Sequence, residues 1–256
     1  MPRKIRPVSH EDRLALVDHL DELRSRLIVA LIAFGITFAV CFWQDEALID
    51  IVNQPLPDDS EPITLSPTEP LLTTMTVSAY GAILLSMPVI LYQIYAFVLP
   101  AFSPTERKVA LPLLLMVPFL FIGGCAFGYF VVMEPALDFL LNFNASEFQT
   151  EVRAKDYYSF VSLSLLSIGI LFQIPVGVLG LTKLGITTPA KLRKNRRFAI
   201  LGCAVLAALL PTIDPVTMLI EMVPLIVLYE LSILLAAAWG GPSTEVAERL
   251  ASAEGS

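Results

Sequence analysis

Charged residues are scarce in this sequence of 256 residues. Only 16% of the side chains are Asp, Glu, Lys or Arg, whereas 55% are hydrophobic, and the mean hydropathy is +0.71. Several nearly uncharged runs reach the length of about 18 residues that marks a membrane-spanning helix. The composition therefore excludes a soluble domain and predicts an all-α integral membrane protein.

Residues and motifs that carry catalytic chemistry are equally few. Histidine occurs only at His10 and His19, both ahead of the first apolar run, and HExxH, GxSxG, Walker and GxGxxG motifs are absent. These absences argue against a membrane metalloenzyme and an intramembrane protease. We predict no enzymatic activity, no catalytic residue, no metal or other cofactor, and no nucleic acid partner.

Cysteine is also rare. Cys41, Cys125 and Cys203 all lie inside apolar runs, without a CxxC motif. This pattern predicts small buried apolar side chains rather than metal ligands or a disulfide.

Apolar runs divide the chain into six predicted spans. The fifth run has about 13 apolar residues between Arg197 and Pro211, which cover about 20 Å of a ~30 Å hydrocarbon core. The sixth is interrupted by Glu221, Pro224 and Glu230. We predict that the last two helices are short. The predicted spans, in a single domain of residues 1–240 followed by a mobile tail at 241–256, cover about residues 27–43, 77–99, 109–133, 157–181, 198–211 and 216–239.

Basic residues lie almost entirely on one side of these spans. Of the 17 Lys and Arg residues, only Arg153 and Lys155 fall on the other side, where the segment 44–76 carries seven acidic residues and no basic one. By the positive-inside rule, both termini, the turn at 100–108 and the basic loop at 183–197 are cytoplasmic. Segments 44–76 and 134–156 are then outside loops.

Two carboxylates lie at the predicted cytoplasmic surface. Glu22 precedes the first span in VDHLDELRSRL, and Glu106 lies in the turn PAFSPTERK. The residues alone leave two interpretations open. Both groups are simply solvated, with Glu22 paired to Arg26 at i,i+4, or they bind the guanidinium groups of a basic partner in a partly dry setting.

Four stretches resemble, in order and spacing, the TatC subunits of twin-arginine translocases. They are VDHLDELRSRL, SMPVILYQIYAFVLPAFSPTERK, FGYFVV and LGITTPAKLRKNRR, and the resemblance covers about residues 16–235. It implies a concave, glove-like bundle of six helices in the cell (plasma) membrane. It also implies a multi-pass receptor for twin-arginine signal peptides of folded cargo, in an oligomeric complex with TatA- and TatB-type single-span subunits. Export in this family is driven by the proton gradient.

The resemblance also assigns residues. Glu22 and Glu106 match the glutamates that contact the two arginines of the signal peptide, and Arg24, Phe97 and Arg107 occupy neighbouring motif positions. The remaining matches, which we interpret as residues that shape the bundle and its loops, are Pro55, Pro88, Gln93, Tyr129 and Asp214. Among them, Gln93 and Asp214 are candidate polar or partner contacts.

One position departs from the family pattern. Where many relatives carry an intramembrane glutamate, this chain has Gln173, followed by Pro175. Glutamine cannot ionise, so a role in proton coupling is in doubt. It either docks a partner helix or satisfies backbone groups that Pro175 leaves open.

Two acids remain in the sixth predicted span. Glu230 matches a glutamate found in relatives, and it either packs against a partner helix or is solvated near the inner end. Glu221 is expected near the outer rim, in contact with water.

The alternative function is a proton-coupled secondary transporter of a small solute. Prolines in several spans are compatible with the broken helices of such transporters. The two halves show no repeat, however, and ionisable residues in the middle of the spans are few. We therefore favour the receptor.

Overall fold

The structure, a computed structural model of the chain, describes the residues 10–57, 62–98, 104–143, 146–147, 150–183, 186–208 and 215–239. Within its helices, the side chains of 10–18, 98, 104–114, 183, 217 and 239 are outside the description. Asp214 and the predicted tail at 241–256 also lie outside the described residues.

Helices form all the regular secondary structure of the described residues, as predicted. In chain order they are α1 His10–Trp43, α2 Asp45–Asn53, α3 Glu69–Val98, α4 Pro104–Phe127, a π-helical turn Gly128–Val132, α5 Met133–Asn142, α6 Ala154–Leu171, α7 Ile174–Lys183, α8 Pro189–Lys194, α9 Arg196–Ala208 and α10 Pro215–Trp239. One isolated bridge pairs Ile63 with Arg153 in the described part of the chain.

Five helical stretches are long and apolar enough to cross a membrane. They are His19–Trp43, Glu69–Phe97, Leu115–Asn142, Ala154–Thr182 and Met218–Ala238. Many apolar side chains of the first stretch are exposed in the single chain, among them Leu31 and Ile36. Such side chains suit contact with lipid, and the protein is an integral membrane protein.

The last two helices differ in length. α9 has 13 residues, which span about 20 Å at 1.5 Å per residue. α10 has 25 residues and contains Pro224. Our prediction that the last helix is also short was wrong, because a proline inside a membrane helix removes one backbone hydrogen bond without ending the helix.

Both predicted outside loops contain more helix than expected. The segment 44–76 includes α2 and the first turns of α3, and the segment 134–156 includes most of α5. Sequence analysis assigned these residues to loops because acidic residues are frequent in them. The helices form because their apolar faces are buried, as Val52 of α2 and Leu137 of α5 are in one common core cluster.

Tyrosine hydroxyls fasten α2 to this core. Tyr157 donates a hydrogen bond to the Val52 carbonyl at 2.7 Å, and Tyr129 donates to the Ile51 carbonyl at 2.5 Å. Tyr129 belongs to the π-helical turn, whose extra residue changes the direction of side chains along the helix. We call the region around α2 and the start of α6 the capped end.

An ion pair completes the capped end. Arg153 Nε donates to Glu69 Oε1 at 2.8 Å, and the Leu65 N–H donates to Glu69 Oε2 at 2.9 Å. Glu69 is only 5% exposed. The hydrogen bond to Glu69, together with its negative charge, raises the pKa of Arg153. The beginning of α3 is thereby fixed to the segment that precedes α6.

Two glycines allow α4 and α6 to approach closely. A Cβ added to Gly124 would lie 3.0 Å from Cα of Gly169, and one added to Gly169 would lie 2.7 Å from Cε2 of Phe121. Phe121 is 1% exposed, so its ring has little room to move. Small residues at helix contacts are typical of membrane bundles.

We expect Gly169→Ala to lower the stability of the protein in detergent by about 1–3 kcal/mol, the usual cost of overpacking. Thermal unfolding followed by circular dichroism measures the change. Gly35→Ala is the matched control, because no atom lies within 4 Å of the Cβ position at Gly35. Equal unfolding temperatures for the two variants would contradict the close approach.

Candidate functional site

Helices α1 and α3 run antiparallel and pack along each other. Their contacts run in opposite chain directions: Arg26 contacts Gln93, and further along α1 the Thr37 hydroxyl donates a 3.1 Å hydrogen bond to the carbonyl of Ala82, which comes earlier in α3. This register brings the polar start of α1 beside the end of α3. The candidate site lies there.

Glu22 is bound to a guanidinium of its own helix. Arg26 Nε and Nη2 donate to Glu22 Oε1 at 3.0 and 2.6 Å, and Arg26 Nη1 donates to Gln93 Oε1 at 3.1 Å. The Glu22 and Arg26 side chains are 31% and 24% exposed. The i,i+4 pairing expected from the sequence is present, but Gln93 extends it into a contact between two helices.

An aromatic stack lies next to this cluster. The rings of His19 and Phe97 are stacked with centroids 4.2 Å apart, and His19 Nδ1 is 3.8 Å from Glu22 Oε2. Phe97 is one turn beyond Gln93 on α3, and His19 is one turn before Glu22 on α1. The cluster therefore presents a carboxylate beside a flat ring surface, a combination that suits a planar cation.

The structure describes less of the other predicted residues of the peptide-binding site. Arg24 is exposed on α1. Glu106 and Arg107 belong to the first turn of α4, which begins at Pro104, but their side chains lie outside the described ones. Our prediction of a turn through residues 100–108 was wrong from Pro104 onward, since proline is well suited to the first position of a helix. At a helix N-terminus the macrodipole favours a carboxylate such as that of Glu106.

Gln173 is buried at the break between α6 and α7. It is 7% exposed, and its Nε2 donates to the Val117 carbonyl of α4 at 3.2 Å. Pro175 has no N–H to donate to the Leu171 carbonyl. The Gln173 side chain, however, donates to the Val117 carbonyl and not to that of Leu171. Gln173 thus joins two helices of this chain, and its contact with a partner helix stays a prediction.

The two acids of α10 have different surroundings. Glu230 accepts a 2.7 Å ion-pair hydrogen bond from Arg196 of α9, and both side chains are more than one third exposed. Glu221 is 2% exposed, so our expectation of a hydrated position was wrong. It shares one helix face with Leu225 and Leu228, which are also buried.

The predicted site residues that the structure describes belong neither to a metal site nor to the cavity at the capped end. Within the described ranges, no group of three or more His, Cys, Asp or Glu side chains could hold a metal ion. A cavity of about 820 Å³ lies at the capped end, between residues 54–57 and 129–138. None of the predicted site residues whose side chains are described lines it, although Pro55 and Tyr129, both assigned to bundle shape, do.

From the sequence, Glu22, Phe97 and Gln93 were candidate site residues and Arg26 was the i,i+4 partner of Glu22, whereas His19 was not among the predicted site residues. The position of Glu22 relative to Arg26 follows from helical spacing. The contacts of Gln93 with Arg26 and of His19 with Phe97 depend on the register between α1 and α3, for which the single sequence carries no signal. The polar side chain of Gln93 within an apolar run indicated a contact residue, but it did not indicate which residue of α1 it contacts.

The fold and the cluster define an all-helical integral membrane protein with a carboxylate–guanidinium site at one end of a helix pair. The sequence matches the family described as Sec-independent protein translocase protein (TatC) over residues 18–224. The chain therefore belongs to the TatC family.

Individual relatives agree with this assignment. TatCd of Bacillus subtilis (strain 168) is 37% identical over 222 residues, covering 87% of this chain and 91% of the relative. TatC of Escherichia coli (strain K12) is 33% identical over 238 residues, covering 91% and 92%. A crystal structure described as twin arginine translocase receptor TatC in DDM has a TM-score of 0.75 and 36% identity, covering 85% of this chain and 98% of the other.

Proposed function

We propose that the protein is the receptor subunit of a twin-arginine translocase and binds the signal peptides of folded proteins. The observation that carries the proposal is the Glu22 carboxylate, which is part-exposed, binds a guanidinium and lies beside the His19–Phe97 stack. Glu22 and Glu106 each take one arginine of the peptide. We assign Arg24, Phe97 and Arg107 to peptide binding as well, from their neighbouring motif positions, and the subunit itself catalyses no reaction.

The proposed topology has six spans in one domain, residues 1–240, with α9 as the short fifth span. Both termini and the basic helix α8 face the cytoplasm, so the Glu22 cluster opens to the cytoplasm and the capped end lies outside. The distribution of Lys and Arg supports this orientation. Because α9 is too short for a ~30 Å core, the bilayer thins beside it.

Membership of the family supports the proposed partners. TatA- and TatB-type single-span subunits assemble with this chain into an oligomeric complex in the cell membrane, and the proton gradient drives export. Gln173, Glu230 and Asp214 are candidate contacts for those subunits. Since Gln173 cannot ionise, it contributes hydrogen bonds but no proton transfer.

The test of the receptor is peptide binding to the detergent-purified protein. A fluorescent twin-arginine signal peptide is compared with the same peptide carrying two lysines. Lysine keeps the charge but lacks the planar fork. We expect the arginine peptide to bind about tenfold tighter, the equivalent of one charge-assisted hydrogen bond.

The double variant Glu22→Ala and Glu106→Ala should remove this preference. The matched control is Glu46→Ala with Glu134→Ala, which removes two exposed carboxylates from α2 and α5. Equal binding of the two peptides to the unchanged protein, or a preference that survives loss of both Glu22 and Glu106, would refute the proposed site.

The topology is tested by cysteine labelling in intact cells. The three natural cysteines are first replaced by alanine. The cysteine of Glu147→Cys should then react with an impermeant maleimide in intact cells, whereas that of Arg193→Cys should react only after the membrane is permeabilised. Both positions are exposed in the structure. Labelling of Arg193→Cys in intact cells would contradict the orientation.

The transporter alternative has less support. The relatives described above are named as translocase proteins, and the candidate site is a part-exposed carboxylate, that of Glu22, beside a guanidinium and an aromatic stack rather than an enclosed cavity in mid-membrane. Uptake of a small solute by proteoliposomes of the lone protein would favour the alternative.

A further inference from the structure

We propose that Arg26 and Gln93 are positioning residues, which orient the Glu22 carboxylate so that it distinguishes a guanidinium from an ammonium group. This inference rests on the proposed receptor function and concerns how its site obtains selectivity. Neither residue is required to touch the peptide. Both act through the direction in which they hold Glu22.

Arg26 binds one of the two carboxylate oxygens of Glu22. Both N–H groups that Arg26 directs to the carboxylate reach the same atom, Oε1. A carboxylate oxygen has two lone pairs, so these two bonds use the acceptor capacity of Oε1. Oε2, which lies on the side of His19 and the Phe97 ring, is the oxygen that remains for a ligand.

Arg26 is itself held by Gln93 of α3. An i,i+4 pair on one helix leaves the guanidinium free to move with its long side chain, and such pairs contribute little on an exposed surface. Here the third donor, Nη1, is bound by Gln93 of α3 at 3.1 Å. The guanidinium is therefore held from two helices, and with it the orientation of Glu22 relative to Phe97.

The guanidinium of an arginine and the ammonium of a lysine depend differently on the orientation of Glu22. An ammonium group is a point charge with rotatable donors, so it binds a carboxylate in many orientations. A guanidinium can direct two N–H groups of its fixed planar fork to the one oxygen Oε2, as Arg26 does to Oε1, and this advantage is lost when the carboxylate turns. Orientation of Glu22 therefore affects arginine much more than lysine.

The experiment uses two variants that change no net charge, Gln93→Leu and Arg26→Lys, in the full chain. Affinities for the arginine and lysine forms of the signal peptide are measured with the purified protein. We expect the arginine peptide to lose about threefold to tenfold in affinity, while the lysine peptide stays within about twofold. The ratio of the two affinities falls accordingly.

The matched control is Thr37→Val. It removes the hydrogen bond to the Ala82 carbonyl, another contact between α1 and α3, without touching the cluster. Its affinity ratio should equal that of the unchanged protein. A variant that merely loosens the helix pair lowers both affinities in parallel, so the ratio separates positioning from folding.

An affinity ratio that stays unchanged in both variants would overturn the inference, whether both affinities stay the same or both fall in parallel. Either result leaves the receptor function intact if the unchanged protein still prefers the arginine peptide. If the unchanged protein binds the two peptides equally, the proposed receptor site is refuted, and this inference is refuted with it.

Discussion

Lipid offers no hydrogen-bond partner to backbone N–H and C=O groups in the hydrocarbon core, and the helices of this protein and the contacts between them follow from that. An unpaired N–H or C=O costs several kcal/mol in lipid, so the chain crosses as helices and interrupts them only where other groups compensate. The break between α6 and α7, inside the candidate span Ala154–Thr182, follows this rule. It is buried against α4, where Gln173 adds a hydrogen bond to the Val117 carbonyl.

Polar contacts concentrate at the ends of the bundle for the same reason. At the capped end, tyrosine hydroxyls and the Glu69–Arg153 pair hold short segments in place. At the other end of the α1–α3 pair, Glu22, Arg26 and Gln93 form a cluster that remains part-exposed. The first arrangement is closed by its own residues, whereas the second has a carboxylate oxygen beside an open aromatic stack. This difference makes the second the candidate site.

Local patterns predicted much of the structure, and long-range register accounts for what they missed. Length and polarity of the apolar runs predicted the helical class and the short α9. They failed at α2 and α5, because the burial of Val52 and Leu137 depends on helices distant in sequence. They also failed at Glu221, where charge suggested water but the helix face is buried. Within the site, Glu22 and Arg26 were foreseeable as neighbours on one helix, whereas Gln93 and His19 acquired their contacts only through the α1–α3 register.

A double-mutant cycle tests whether Glu22 binds one particular arginine of the ligand. Peptide affinities are measured for the unchanged protein and for Glu22→Gln, each with the unchanged peptide and with its first or its second arginine replaced by alanine, which removes the charge. The account predicts a coupling energy of about 1.5 kcal/mol or more between Glu22 and one of the two arginines. Coupling energies within about 0.5 kcal/mol of zero for both arginines, the range of independent sites, would contradict it.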